Sequence, residues 1–304
     1  MEERLPLVTI MGPTGVGKTD LAISLSKTVS SQIIGVDSVQ VYKGMDIGSG
    51  KASKDILNKY PHKLVSFIDP WKSYSTALFI LDATREINLC DRSNKVPLLV
   101  GGTMLYFRSL LSGISRMPEA NQEVRNEISD RAKKYGWGLL HKELSKVDPE
   151  SAQRIHPNDS QRIQRALEVY RVSSKTMTEW RKRDKGSDLV KTKRVIQFAV
   201  EPKSRESLRE DVKTRFLLML ERGLVKEVEK LLDLKQMDLT KSSMKSVGYR
   251  QICDYLEGKS TYEEMTVKAV NATRQLAKRQ MTWLRKWKNL HWVNQDLSLI
   301  HISE

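Results

Sequence analysis

Residues 10–19 read IMGPTGVGKT, and within them Gly12, Gly17, Lys18 and Thr19 satisfy the spacing G-x-x-x-x-G-K-[ST]. Glycines so placed let backbone N–H groups curl around phosphate oxygens, Lys18 neutralises their charge, and Thr19 can ligate Mg²⁺. Leu7 to Met11, just before the loop, is apolar and strand-like, and DLAISLSKTV after it carries apolar residues at helical spacing. A helix starting there points its N-terminal amides at the anion. Strand, loop and helix together predict a polyphosphate site.

Further along, QIIGVD and VPLLVGG are short apolar runs closed by turn residues and separated by helical stretches. That alternation predicts a parallel sheet covered on both faces, an α/β, doubly wound fold of the P-loop NTPase-like kind. In such a sheet the active site lies beyond the carboxyl ends of the strands, so Asp37 after the second run and Thr103 after the third should both sit beside the phosphate loop. The VPLLV strand ends in Gly101, Gly102 and Thr103 and offers no Walker-B carboxylate. This favours a transferase in which the polyphosphate is a leaving group. A kinase of nucleotides or small molecules, and an RNA-binding protein that merely recognises phosphate, remain open at this point.

From Pro118 to Lys193 the sequence turns polar, charged and helix-forming, with Asp148 and Asp159 placed as N-caps around Pro157. Strand character returns with RVIQFAVEP, and the remainder reads as helical. The expected organisation is a catalytic core of residues 1–115 and 194–304 interrupted by a helical insertion, residues 116–193. A final helix is expected from about Glu263 to Trp287, with Leu276, Ala277, Trp283, Leu284 and Trp287 on one arc and Arg274, Lys278 and Arg285 opposite.

The formal charge of +15 over 304 residues falls mostly beyond residue 114, away from the phosphate loop, and suggests a polyanionic partner such as nucleic acid. The two cysteines, Cys90 and Cys253, match no zinc or disulfide spacing, and the five histidines form no metal cluster. The N-terminal MEERLPLVTI has no leader character, and no apolar run is long enough for a membrane span. A cytoplasmic monomer without a membrane partner is the expectation.

The blocks GPTGVGKTDLAI, DSVQVYKGMDIGSGK, PLLVGGTMLYFRSLLSG, HPNDSQRIQRALEVY, SVGYRQICDYLEG and ATRQLAKRQMTWLRKW resemble, in order, those of the bacterial tRNA dimethylallyltransferases. The resemblance runs from the phosphate loop to Trp287. It implies transfer of the dimethylallyl group of dimethylallyl diphosphate to the exocyclic N6 amine of the adenosine immediately 3′ of the tRNA anticodon, with release of diphosphate. The anticodon stem-loop would be the macromolecular substrate and Mg²⁺ the only metal, held in part by Thr19.

The resemblance also assigns residues. Asp37 and Thr103 would be catalytic, Asp37 taking a hydrogen bond or proton from the adenine amine. The loop residues Gly12, Pro13, Thr14, Gly15, Val16, Gly17, Lys18 and Thr19, with Arg215 from LREDVKTRFLLMLERG, would hold the diphosphate. Asp37, Ser38, Val39, Gln40 and Thr103 would bind the target base. Arg125, Gln161, Arg162, Ile163, Gln164 and Arg165, and the segment Lys245, Ser246, Val247, Gly248, Tyr249 and Arg250, would touch the RNA.

Overall fold

In a computed structural model, residues 5–113, 115, 117–183 and 188–295 are described; the end of the chain, NQDLSLIHISE, lies outside them from residue 296. The chain divides into two compact units, residues 1–109 with 189–304, and residues 110–188.

The first unit is built on six strands: β1 (Leu7–Met11), β2 (Ser31–Val36), β3 (His62–Lys63), β4 (Val96–Gly101), β5 (Val195–Glu201) and β6 (His291–Asn294). They lie in the order β3-β2-β4-β1-β5-β6, every pair parallel. The register sets Ile10 between Val100 and Phe198, and Ile33 beside Leu98. β1 and β4 are buried at every position, which is why both read as continuous apolar runs without alternation. Helix α1 (Lys18–Thr28) carries the chain from β1 to β2, and α3 (Thr76–Arg92) carries it from β3 to β4 in the opposite sense across the sheet. Right-handed crossovers therefore put these two helices on opposite faces. A short α2 (Lys54–Lys59) lies between them, and α4 (Met104–Ser112) follows β4.

After β5 come α11 (Arg205–Glu221), α12 (Leu224–Leu232), α13 (Tyr249–Leu256) and α14 (Tyr262–Arg285). They share a second core in which Phe216, Leu224, Val228, Tyr249, Ile252, Met265 and Ala269 pack with Val41, Tyr42 and Met45 from the segment after β2. That packing fixes the chain beyond Asp37. α14 starts on a capping box, Thr261 accepting from Glu264 N and the Glu264 side chain returning to Thr261 N.

Two expectations are corrected here. The region after β5 is not all helix, because HWVN forms β6 on the edge of the sheet beside β5. Four mostly exposed residues give too little alternation to be read as a strand. The last helix ends at Arg285, and Trp287 lies beyond it with its indole N–H donated to Gln197 Oε1 at 2.9 Å. Ala277 and Leu284 of the predicted arc are buried, whereas Leu276, Trp283 and Trp287 are half-buried.

The second unit comprises α5 (Gln122–Tyr135), α6 (Trp137–Val147), α7 (Pro149–Arg154), α8 (Ser160–Ser173) and α9 (Met177–Arg183), while α10 (Asp188–Thr192) leads back into the first. Asp148 caps α7 through Ser151 N, and Asp159 caps α8 through Arg162 N. Ile128, Leu140, Leu144, Ile163, Leu167 and Val169 form its core.

Candidate active site

The buried β1 delivers the chain into residues 12–17 with little freedom left. Gly15 and Gly17 have φ of 86° and 80°, the left-handed region that glycine enters at least cost, and Gly17 is the N-cap of α1 with no side chain bonded to that helix end. The first amides of α1 are left for an anion. Val16, buried under the loop, anchors it in the core, and Lys18 Nζ donates to Pro13 O at 2.6 Å, folding the lysine back over the loop.

At the ends of β2 and β4 the acid and the hydroxyl come together. Asp37 Oδ1 accepts from the amides of Val39 (2.8 Å) and Gln40 (3.2 Å), while Oδ2 makes no hydrogen bond among the described residues. Thr103 N donates to Val36 O at 3.2 Å, and Thr103 Oγ1 accepts from Ser38 N at 3.0 Å. Asp37 lines the same cavity, about 410 Å³, as loop residues Thr14 to Asp20. Thr103 reaches that wall through Ser38, the neighbour of Asp37.

Arg215 enters from α11, where Nη2 donates to Gly50 O at 3.2 Å. Gly50 has φ of 63°, and a Cβ there would collide with the guanidinium. Burial lowers the pKa of Lys18 to about 8; the neighbouring Arg215 adds to the effect and Asp37 opposes it. Burial also lowers Arg215, again against Asp37. Lys18, Lys51 and Arg215 against Asp20 and Asp37 leave the cavity short of negative charge, a setting that an incoming anion would relieve.

A second lysine completes this wall. The Lys51 side chain is 2% exposed, bonded to Asp46 at 2.8 Å and donating to Tyr42 O. The segment that carries it is folded onto Glu227 of α12, whose carboxylate accepts from the amides of Asp46, Ile47 and Gly48 and from the Tyr249 hydroxyl at 2.7 Å. A larger cavity of about 980 Å³ adjoins the first, sharing Gly50, Lys51 and Arg215, with Leu57, Leu218 and Met219 as its apolar wall.

The family described as IPP transferase matches residues 40–287, and that described as isopentenyl transferase matches residues 5–63. The chain belongs to the IPP transferase family. Among solved structures it is similar to a tRNA isopentenylpyrophosphate transferase from Bacillus halodurans (33% identity, 98% of this chain and 94% of that one, TM-score 0.69). A tRNA delta(2)-isopentenylpyrophosphate transferase from Staphylococcus epidermidis compares at 32% identity, 96% and 94% coverage and TM-score 0.67. A eukaryotic dimethylallyltransferase captured acting on tRNA compares at 25% identity, covering 97% of this chain and 75% of that one, with TM-score 0.79.

Within this IPP transferase the residues expected to touch RNA occupy varied settings. Gln161 and Arg162 are exposed on α8, and Arg162 pairs with its own cap, Asp159, at 3.4 Å. Ile163 is buried in the core of the second unit, and Gln164 ties α8 to α5 through Arg125 O and Ser129 Oγ. Arg125 and Arg165 both clasp Glu168, whose side chain is 0% exposed, at 3.0 and 2.8 Å. Arg165 also donates to Pro118 O. Burial alone would raise the Glu168 pKa, but Arg165, the Asn121 amide and Arg125 together hold it below the usual carboxylate range. Glu168→Ala would leave two partly buried guanidinium groups without their carboxylate, and is expected to destabilise the second unit by ~3–5 kcal/mol in chemical denaturation.

In the first unit Lys245 and Arg250 are exposed and Ser246 and Val247 half-buried, while Gly248 and Tyr249 are buried, Tyr249 through its bond to Glu227. Burial and that carboxylate push the tyrosine hydroxyl far above its ordinary range.

Besides Lys51, a further side chain of the cavity wall was not anticipated from sequence. Gln280 of α14, 9% exposed, accepts from Thr14 N at 3.0 Å and donates to Gly102 O at 2.8 Å. It stands between Ala277 and Leu284 at core spacing. A polar residue inside an apolar stripe was the available signal.

Proposed function

We propose that this chain transfers the dimethylallyl group from dimethylallyl diphosphate to N6 of the adenosine immediately 3′ of a tRNA anticodon. The observation that carries the reading is the placement of Asp37 in one cavity with a phosphate loop, Lys18 and Arg215. Proton acceptor and leaving-group site face the same space. In the reaction the C–O bond of the diphosphate ester breaks, the C–N bond to the amine forms, and the amine gives up a proton. Backbone amides of the loop, Lys18 and Arg215 gather the diphosphate and stabilise the charge that grows on it as it leaves. Asp37, held by two amides through Oδ1, keeps Oδ2 for the N6 proton, which orients a weakly nucleophilic amine and receives its proton. Ser38 and Thr103 hold that carboxylate's segment against the end of β4.

Mg²⁺ fits the donors present. No group of three or more His, Cys, Asp or Glu side chains suited to a metal occurs among the described residues. Thr19 nevertheless places an oxygen donor in the cavity, and a hydrated Mg²⁺ commonly takes its remaining ligands from phosphate and water. When bound it supplies further neutralisation of the leaving group.

The excess positive charge and the exposed Lys245, Arg250, Gln161 and Arg162 support tRNA as the acceptor. The KM for tRNA is accordingly expected to rise ~10-fold or more between 50 and 200 mM salt, with a much weaker response for dimethylallyl diphosphate. A free adenine nucleotide as acceptor would give no such difference. No helix among the described residues is long and apolar enough to cross a membrane, and both cysteines are free and buried. We read the protein as a cytoplasmic monomer.

The test is incubation with Mg²⁺, labelled dimethylallyl diphosphate and a tRNA bearing adenosine 3′ of its anticodon. Label in the RNA supports the reading. Its absence from every such tRNA, with transfer of the γ-phosphate of ATP to a small acceptor, would replace it with a kinase.

A further inference from the structure

We propose that Gln280 is a positioning residue for the transfer step, setting the distance between the diphosphate loop and the proton acceptor. The inference rests on the prenyl-transfer reading above. Gln280 accepts from the Thr14 amide with one end of its carboxamide and donates to the Gly102 carbonyl with the other. From Gly102 the contacts continue through Thr103, whose hydroxyl holds Ser38 N, to Asp37 beside it. A single strut thus runs from the loop that grips the leaving group to the carboxylate that takes the proton.

The chemistry selects this side chain. The strut needs one donor and one acceptor a fixed distance apart, which glutamine supplies; ionised glutamate only accepts, and methionine has no donor and only a weakly accepting sulfur in a similar volume. The backbone is shaped to it as well. A Cβ on Gly102 would stand 2.5 Å from Gln280 Nε2, so the GGT turn reaches the carboxamide only as glycine. With its N–H bonded to Gln280, Thr14 is removed from the set of amides facing the phosphates, and the grip begins at Gly15.

A displacement of ~1 Å in reacting groups is enough to cost on the order of 100-fold in rate. The strut therefore acts on kcat far more than on tRNA binding. The experiment compares wild type, Gln280→Met, Gln280→Glu, Gly102→Ala and the double variant Gly102→Ala/Gln280→Met. It reads the single-turnover transfer rate, the Kd for tRNA and for dimethylallyl diphosphate, and the thermal midpoint.

Gln280→Met is expected to lose ~10-fold or more in transfer rate with tRNA affinity within about twofold of wild type. Gln280→Glu should lose at least as much and also bind the diphosphate more weakly, because it adds negative charge to the cavity. Gly102→Ala displaces the same carboxamide and should reproduce the rate loss, and the double variant should be no slower than the slower single one. Transfer rates within twofold of wild type in Gln280→Met and Gly102→Ala would overturn the inference, as would losses that simply add in the double variant. If Gln280→Met does not fold, Gly102→Ala decides alone, full activity overturning the proposal and a slowed, thermally intact enzyme supporting it. A wild type that prenylates no tRNA would sink the functional reading and this inference together, whereas an active wild type with unaffected variants sinks only the inference.

Discussion

Asp37→Asn is expected to slow prenyl transfer by ~10²–10⁴-fold while leaving the binding of dimethylallyl diphosphate and the thermal midpoint close to wild type. The asparagine retains an oxygen able to accept from the amides of Val39 and Gln40, so the turn after β2 keeps its cap. What it lacks is an acceptor for the N6 proton, the role proposed for Oδ2 in the wild type. Asp37→Ala removes both functions and should lose stability as well as rate. Single-turnover kinetics with tRNA in excess reads the chemical step directly. A fully active Asp37→Asn would mean that the proton leaves by another route.

Lys18→Met is expected to lower kcat/KM for dimethylallyl diphosphate by ~10²–10³-fold, since it removes a desolvated cation aimed at the leaving group. The same lysine predicts a pH dependence whose sign follows from its environment. Its pKa in the free enzyme is lowered to about 8, so the cation predominates below that value and is lost as the pH rises through it. Bound diphosphate favours the protonated form. Affinity for the substrate should therefore be nearly constant on this account well below pH 8, begin to fall as the pH approaches 8, and weaken above it by up to ~10-fold per pH unit. In Lys18→Met that alkaline limb should vanish. Titration of diphosphate binding by calorimetry across this range checks both the wild-type slope and its absence in the variant.

The part of this site that follows the chain closely was readable from sequence. Gly12 to Thr19 declares itself because the glycines and the lysine that suit a phosphate cradle all fall in a single turn. Asp37 and Thr103 became readable once the two apolar runs before them were taken as parallel strands, since neighbouring strand ends must meet. The remaining supports come from far along the chain. Glu227 gathers the amides of Asp46, Ile47 and Gly48 from 179 to 181 residues away, and Gln280 spans to Thr14 over 266. No local periodicity encodes such a meeting. Arg125 and Arg165 show the converse difficulty, because an arginine that binds a buried glutamate and one that binds a phosphate look the same in sequence. Their shared partner, Glu168, is visible only once α5 and α8 are packed. β6 escaped because an edge strand of four residues takes its stability from β5 and carries little pattern of its own.

The measurement that tests the central claim most directly is identification of the nucleoside the enzyme makes. Unmodified tRNA is incubated with the protein, Mg²⁺ and dimethylallyl diphosphate, then digested and analysed by mass spectrometry, with the position mapped on the intact anticodon fragment. The expected product is N6-dimethylallyl adenosine at the residue 3′ of the anticodon, in an amount matching the diphosphate released. Diphosphate release without a modified base, or a prenyl group at any other position, would contradict the account.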